Sequence, residues 1–325
     1  MNNMGRKRRD RRDLPERVYF KHGAYYFVSK DGVWHRLGTD YTKALTKYGE
    51  LNSSGAGFSM GSIINRYMRE IAPTKAPRTF KNYLREVRHI RSAFGHMLPD
   101  EITPPHIYAY LDTRAPVAGN REKALLSTII SYAVRWGLAS DNPCRLVKRN
   151  PEAPRERYVE DWEYWAVYTL ATSMIQIAMD LARTTGLRQG DILRLKLTDA
   201  KEDGLHVHTS KTGKRLIFSM TPDLRAPLNR SKGIPIKGIQ PLHPAVIRNR
   251  FGRAYTGDGF RAVWQDLMVA AMAAEVIKER FTFNDLRAKA ASESDNASEL
   301  LGHDDPKTTN RVYRRAPRRV TPVKY

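Results

Sequence analysis

The sequence predicts a multidomain chain, mostly α with small β elements. It would hold an N-terminal small β-sheet plus a helix, then a helical domain, then a mostly helical α+β domain. Three observations carry this. The chain has 325 residues, more than the ~250–300 that usually share a single core. The apolar period changes from strand-like to helical across Asn52-Ser53-Ser54-Gly55-Ala56-Gly57, a linker by composition. Beyond residue 158, helical patterns are interrupted by one β-like segment, Leu205 to Met220.

The first 17 residues hold Arg6, Lys7, Arg8, Arg9, Arg11 and Arg12. So dense a block of like charge suits an arm that contacts a polyanion. Next, Arg17 to Val28 and Val33 to Gly38 are rich in aromatic and β-branched residues and are separated by Lys30-Asp31-Gly32. This predicts a two- or three-stranded sheet, with a short helix over Tyr41 to Leu51 packed against it.

After the linker, Met60, Ile63, Ile64, Tyr67, Met68 and Ile71 fall on one helical face. A second stripe is Phe80, Tyr83, Leu84, Val87, Ile90 and Phe94, with Arg78, Lys81, Arg85, Arg88 and Arg91 opposite. Pro104-Pro105 opens a third helix, since proline suits a first turn. Leu125, Leu126, Ile129, Ile130, Ala133 and Trp136 mark a fourth, ended by Gly137. These helices define a basic module over residues 57–143. Residues 144–157 are proline-broken and basic, as an extended connector along DNA would be, or simply a solvated one. The last domain spans residues 158–325, with residues 1–53 forming the first.

Composition narrows the partners. Lys and Arg number 56 against 34 Asp and Glu, a net charge of +22 with a pI near 10.1. Nucleic acid is the simplest partner for such a chain. No stretch approaches the roughly 18–20 apolar residues of a spanning helix and no signal-peptide core follows the N-terminus. A soluble, cytoplasmic protein associated with the nucleoid is expected, with no membrane partner. Cys144 is the one cysteine, so no disulfide and no cysteine-rich metal site forms within the chain. His206 and His208 share a strand face, but no third metal ligand is visible. Neither metal nor cofactor is expected.

Three patches then stand out: Thr185-Gly186-Leu187-Arg188, Asn284-Asp285-Leu286-Arg287, and Leu301-Gly302-His303 followed by Tyr313. Arginine stays charged and offers a fork of donors that matches two phosphate oxygens. A tyrosine beside such donors can attack a phosphodiester, giving a covalent phosphotyrosine and a free sugar hydroxyl. The bond is conserved, so neither ATP nor a metal is needed.

Thr185-Gly186-Leu187-Arg188-Gln189-Gly190-Asp191 resembles the first arginine box of tyrosine recombinases, the phage integrase family. Ser210-Lys211-Thr212-Gly213 resembles its β-turn lysine, Phe283 to Arg287 its His-x-x-Arg box, and Leu301-Gly302-His303 with Tyr313 its closing box. Four boxes in order are a specific signal where any one would be weak. The resemblance implies that residues 158–325 are an α+β catalytic domain, residues 57–143 a SAM-like helical core-binding domain, and residues 1–53 an arm-type DNA-binding domain. It implies that Arg188 and Arg287 clamp the scissile phosphate, Tyr313 attacks, Lys211 protonates the leaving 5′ oxygen and His303 assists at the phosphate. Asp191 would orient Arg188, or simply start a helix near its dipole. Lys214 competes with Lys211, and Tyr325 with Tyr313. The sequence departs from the family at Asn284, where histidine is usual, and in the ten residues from His303 to Tyr313, one more than the usual spacing.

The implied function is site-specific recombination for phage or mobile-element integration and excision. Expected partners are double-stranded DNA attachment sites of core and arm type, a homotetramer on DNA, a host DNA-bending protein and an excisionase. The basic tail Arg314 to Tyr325 suits docking onto a neighbouring protomer. The alternatives are a non-cutting DNA-binding regulator of the same fold and a DNA-relaxing enzyme of the type IB topoisomerase kind.

Overall fold

The structure, a computed structural model, describes residues 14–15, 17–29, 32–52, 58–237 and 244–317. Arg6, Lys7, Arg8, Arg9 and Tyr325 lie outside the described residues. The chain divides into two compact units, Met1–Glu152 and Ala153–Tyr325.

The first unit contains two separate cores. Strands β1 (Val18–Lys21), β2 (Ala24–Val28) and β3 (Trp34–Gly38) form an antiparallel meander, and α1 (Tyr41–Asn52) packs on it. Alternation along the strands buries Val18, Tyr25, Phe27 and Leu37 together with Ala44 of α1. The other sheet face leaves Tyr19 and Trp34 exposed. Such alternation is what a sheet with one covered face requires.

Four helices build the second core: α2 (Met60–Glu70), α3 (Pro77–Phe94), α4 (Pro104–Asp112) and α5 (Pro116–Arg135). The stripe read in α2 is buried at Met60, Ile63, Ile64 and Tyr67, and Ser59 caps that helix through Ser62 N. On α3, Val87, Ile90 and Phe94 point inward while Arg78, Lys81, Arg85 and Arg88 are exposed. Arg91 instead turns back to α2, donating to Asn65 Oδ1 at 2.7 Å.

Residues 144–157 differ from the free connector read in the sequence. Cys144 and Val147 are buried in the helical core, and Lys123 Nζ donates to the Val147 carbonyl at 2.5 Å. Asn120 receives the backbone N–H of Asn150 at 2.8 Å. Burial pushes the Cys144 thiol up to about 11, so it stays protonated. Arg155 and Arg157, in contrast, belong to the second unit and make their contacts there. Composition saw proline and charge in this stretch; the side chains that anchor it lie more than twenty residues upstream.

The second unit starts with α6 (Asp161–Leu170), α7 (Ser173–Thr185) and the single turn α8 (Gln189–Ile192). An antiparallel sheet follows, of β4 (Ala200–Lys201), β5 (Gly204–His208) and β6 (Arg215–Phe218). The helices α9 (Pro222–Gly233), α10 (Gly257–Ala273), α11 (Phe283–Glu293), α12 (Ala297–Leu301) and α13 (Pro306–Thr308) complete it, ending in a π-helical turn at Thr309–Tyr313. Tyr164, Phe260, Trp264, Phe281 and Phe283 are among the large buried side chains of its core. Helix α11 is buried along almost its whole length and packs on α7 and α12.

Several charges are buried in this unit, Lys289 most completely. Lys289 on α11 is fully buried, yet its ammonium meets Glu293 at 2.6 Å, Asp161 at 2.8 Å and the Val159 carbonyl at 2.9 Å. Burial works against its charge, but Asp161 and Glu293 outweigh it and hold the pKa above the ordinary lysine value. The ammonium therefore ties the start of α6 to α11, the helix that also carries Arg287. Among the described residues no helix is long and apolar enough to cross a membrane.

Candidate active site

Two glycines aim the arginine and histidine patches. Gly186 closes α7 with φ +59°, and Gly302 closes α12 with φ +63°. Both adopt the left-handed cap that glycine takes without strain. At Gly186 a Cβ would also stand 2.8 Å from Leu301 Cδ2, so the α7 cap and the α12 end touch. The chain leaves the first cap into Leu187 and Arg188, and the second into His303.

Arg287 lies between these caps and is 3% exposed. Its Nη1 donates to the Gly186 carbonyl at 2.5 Å, and Nη2 to the Leu301 carbonyl at 3.1 Å. Nη2 also lies 3.1 Å from His303 Nε2, and the guanidinium is 5.1 Å from the centre of the Tyr313 ring. Burial, reinforced by the charge of Arg188, pulls the Arg287 pKa down to about 10. It remains a cation at neutral pH, with its Nε buried and unpaired among the described residues.

The tautomer of His303 follows from its neighbours. A guanidinium can only donate, so His303 Nε2 accepts from Arg287. Nδ1 then carries the proton and donates to Thr309 Oγ1 at 2.8 Å. His303 and Tyr313 rings are 5.3 Å apart. Burial first, then Arg287, Arg188, Lys214 and Lys211, hold the His303 pKa below the ordinary value.

The sign of the resulting pH dependence is fixed. Between ~6.5, the ordinary histidine value, and the lower folded value, the unfolded chain binds more protons. Stability is therefore lost as pH falls through that window. Replacing His303 with Gln is expected to flatten this acid limb. Equilibrium unfolding between pH 5 and 8 tests it, and an unchanged slope in the variant would remove His303 as the cause.

Lys211 occupies the turn between β5 and β6. Thr209 Oγ1 bonds Thr212 Oγ1 at 2.8 Å and receives Lys214 N at 3.0 Å, while Gly213 takes φ +68°. Asp191 secures the turn from outside: its Oδ1 accepts from the Ser210 backbone N–H at 2.9 Å and hydroxyl at 2.8 Å. Asp191 Oδ1 also pairs with Arg194 at 2.6 Å, and among the described residues no hydrogen bond joins it to Arg188. The contacts of Oδ1 thus run to the lysine turn and Arg194, while Oδ2 is buried with no partner among the described residues. Lys214 is engaged with Asp304 in an ion pair; Lys211 is exposed, with no partner among the described residues.

Arg188, Lys211, Arg287, His303 and Tyr313 all belong to this neighbourhood through contact or charge. Asn284 does not share their hydrogen bonds. It stands exposed on the first turn of α11, lining a cleft with Arg155, Gln189, Arg261 and Arg280. His206 is tied to Asp203 at 2.8 Å and His208 to the Gly213 carbonyl at 3.1 Å. Among the described residues no three His, Cys, Asp or Glu side chains cluster as metal ligands.

Thr309, Ser210 and Asp285 were not singled out in the sequence. Asp285 had a local signal, the Thr282-x-x-Asp285 capping pattern. Thr309 and Ser210 had none, because their partners are set by tertiary structure.

Residues 166–319 match the phage integrase family model. The integrase of Escherichia phage HK022 is 28% identical over 298 residues, covering 79% of this chain and 83% of the relative. The integrase of Escherichia phage lambda is 27% identical over 241 residues, 66% of this chain and 67% of the relative. A crystal structure of a lambda integrase dimer bound to a COC′ core site superposes with TM-score 0.68 at 24% identity, covering 97% of this chain and 99% of that one. That likeness establishes the shared fold. The family match and the integrase relatives support a DNA strand-transferring enzyme. Residues 166–319 match the phage integrase family, and this match with the 28% identical integrase supports a tyrosine recombinase.

Proposed function

We propose that this site-specific recombinase cuts and rejoins DNA through a 3′-phosphotyrosine formed by Tyr313, serving integration and excision of a phage or mobile element. The observation that carries the reading is the mutual contact of His303, Arg287 and Tyr313 within one unit, Arg287 lying 5.1 Å from the Tyr313 ring. Arg287 and Arg188 bind the nonbridging oxygens of the scissile phosphate and stabilise the charge that grows there. The Tyr313 oxygen attacks phosphorus, and the bond to the 5′ oxygen breaks. Lys211, free in its turn, gives that oxygen a proton. His303, neutral and held by Thr309, supports the phosphate and the phenol proton. Asn284 supplies a hydrogen-bond donor but no titratable proton, so proton transfer rests on Lys211 and His303.

The exposed Arg78, Lys81, Arg85 and Arg88 of α3 suit the phosphates of a core site, and the basic N-terminus with its sheet suits arm sites. Binding of this kind weakens steeply with salt. A lambda integrase tetramer bound to a Holliday junction has the same fold, with TM-score 0.64 over 90% of this chain. A tetramer of this chain on DNA, with a host bending protein and an excisionase as accessory partners, is part of the same reading.

A nicked suicide substrate tests it, because the cut fragment diffuses away and traps the adduct. Wild type is expected to give a covalent protein–DNA species that Tyr313→Phe lacks entirely. Persistence of the adduct in Tyr313→Phe would assign the nucleophile elsewhere. Adducts on every sequence alike would favour a relaxing topoisomerase.

A further inference from the structure

Helix α11 carries, between Asn284 and Arg287, a side chain that none of these steps uses. Asp285 is 2% exposed. Its Oδ2 accepts from the Thr282 backbone N–H at 2.7 Å and hydroxyl at 2.9 Å, capping the helix, and pairs with Arg155 at 2.9 Å. Its Oδ1 pairs with Arg315 Nη1 at 2.7 Å. A cap needs only one carboxylate oxygen. The other is committed to an arginine two residues beyond Tyr313.

Arg315 is held from several directions. Nη1 also donates to the Arg157 carbonyl at 3.1 Å, Nε to the Val312 carbonyl at 2.9 Å, and the backbone N–H to Ser292 Oγ at 2.8 Å. Ser292, on α11, in turn donates to the Tyr313 carbonyl at 3.2 Å. The segment bearing Tyr313 is thereby fastened to the helix bearing Arg287. Such fastening matters because Tyr313 closes a π-helical turn, with Arg314 N–H reaching the Thr309 carbonyl, and π turns are rare outside functional sites.

The two arginines on Asp285 are not equivalent. The Arg155 side chain is 47% exposed, so solvent screens that pair. The Arg315 side chain is 10% exposed against 2% for Asp285, and removing one member of such a buried pair leaves the other charge uncompensated. The weight falls on Arg315.

We propose that Asp285 is a positioning residue for strand cleavage: through Arg315 it fixes the Tyr313 hydroxyl against the phosphate-binding arginines of the same protomer. This rests on Tyr313 being the nucleophile. A displacement of about 1 Å in a reacting group can cost roughly 100-fold in rate, so a lost tether should appear in cleavage and not in DNA affinity.

The test is single-turnover adduct formation by the full chain on the nicked substrate, with DNA affinity measured alongside. Asp285→Asn and Arg315→Gln are each expected to slow adduct formation at least tenfold while leaving affinity within twofold. The double variant should be no slower than the slower single, and Arg315→Lys should recover part of the rate. Wild-type rates in the single variants, or a double loss equal to the product of the single losses, would overturn the proposal. Should Asp285→Asn fail to fold, Arg315→Gln and Arg315→Lys carry the test, and a wild-type rate in Arg315→Gln is fatal. Tyr313→Phe run in parallel separates the two ideas. An adduct there removes the nucleophile assignment, whereas its loss there with unimpaired Asp285 and Arg315 variants removes only the tether.

Discussion

Replacing Arg287 with alanine is expected to slow adduct formation by about 10²- to 10³-fold, the usual loss when one donor aimed at developing charge is removed. The guanidinium cannot be replaced from nearby, since Lys214 is committed to Asp304 and, in the proposed reaction, Arg188 to its own share of the phosphate. Stability responds less than burial suggests, because two effects oppose. The alanine leaves the Gly186 and Leu301 carbonyls without their donor, a cost of roughly 1–3 kcal/mol for each buried orphan. It also removes a cation whose pKa burial has pulled down to about 10. That cation is charged throughout neutral pH, so relief from its burial is gained there in full. Arg287→Lys keeps the charge but loses the fork and should fall between wild type and alanine. Single-turnover cleavage and equilibrium unfolding of the three proteins check this. An alanine variant that unfolds readily yet, when folded, cleaves at the wild-type rate would make Arg287 structural only.

The fold was legible where apolar spacing is local. Met60, Ile63, Ile64 and Tyr67 repeat at helical intervals and are all buried, and the polar face of α3 is exposed at all five predicted arginine and lysine positions. The hairpin around Lys211 was legible too, because Thr212-Gly213 supplies turn chemistry between apolar strands. Legibility failed where partners are distant in sequence. Proline and charge made residues 144–157 read as a connector, yet Asn120 and Lys123 pin their first half to α5. That one oxygen of Asp191 serves Ser210, nineteen residues after it, is likewise not written in the local sequence. The exposure of Asn284 on the first turn of α11 is also set by packing, since the box spacing contains nothing about which face of that helix is covered. The additional residue between His303 and Tyr313 is accommodated in a stretch that runs through α13 into a π-helical turn, a winding that sequence periodicity does not announce.

Replacing Lys211 with alanine is expected to slow cleavage of ordinary DNA by about 10²- to 10⁴-fold, the range for loss of a positioned general acid. The 5′ oxygen leaves as an alkoxide, far too basic to depart at neutral pH without a proton. Sulfur in that bridging position leaves as a thiolate, whose conjugate acid has a pKa near ~8.5 for a simple thiol, and needs none. A substrate with 5′-bridging sulfur should therefore be cleaved by Lys211→Ala at close to the wild-type rate. Arg287→Ala should stay slow on the same substrate, because charge on the nonbridging oxygens still has to be stabilised. Lys214 provides the internal comparison. It lies three residues away but is paired with Asp304, so Lys214→Ala should show a small loss that is the same with oxygen and sulfur. If sulfur rescues Lys214→Ala instead, the proton comes from Lys214 and the ion pair with Asp304 must open during cleavage. If sulfur rescues neither variant, the lysine turn binds phosphate without donating a proton, and among the described residues His303, in contact with Arg287 and Tyr313, remains to serve the leaving group.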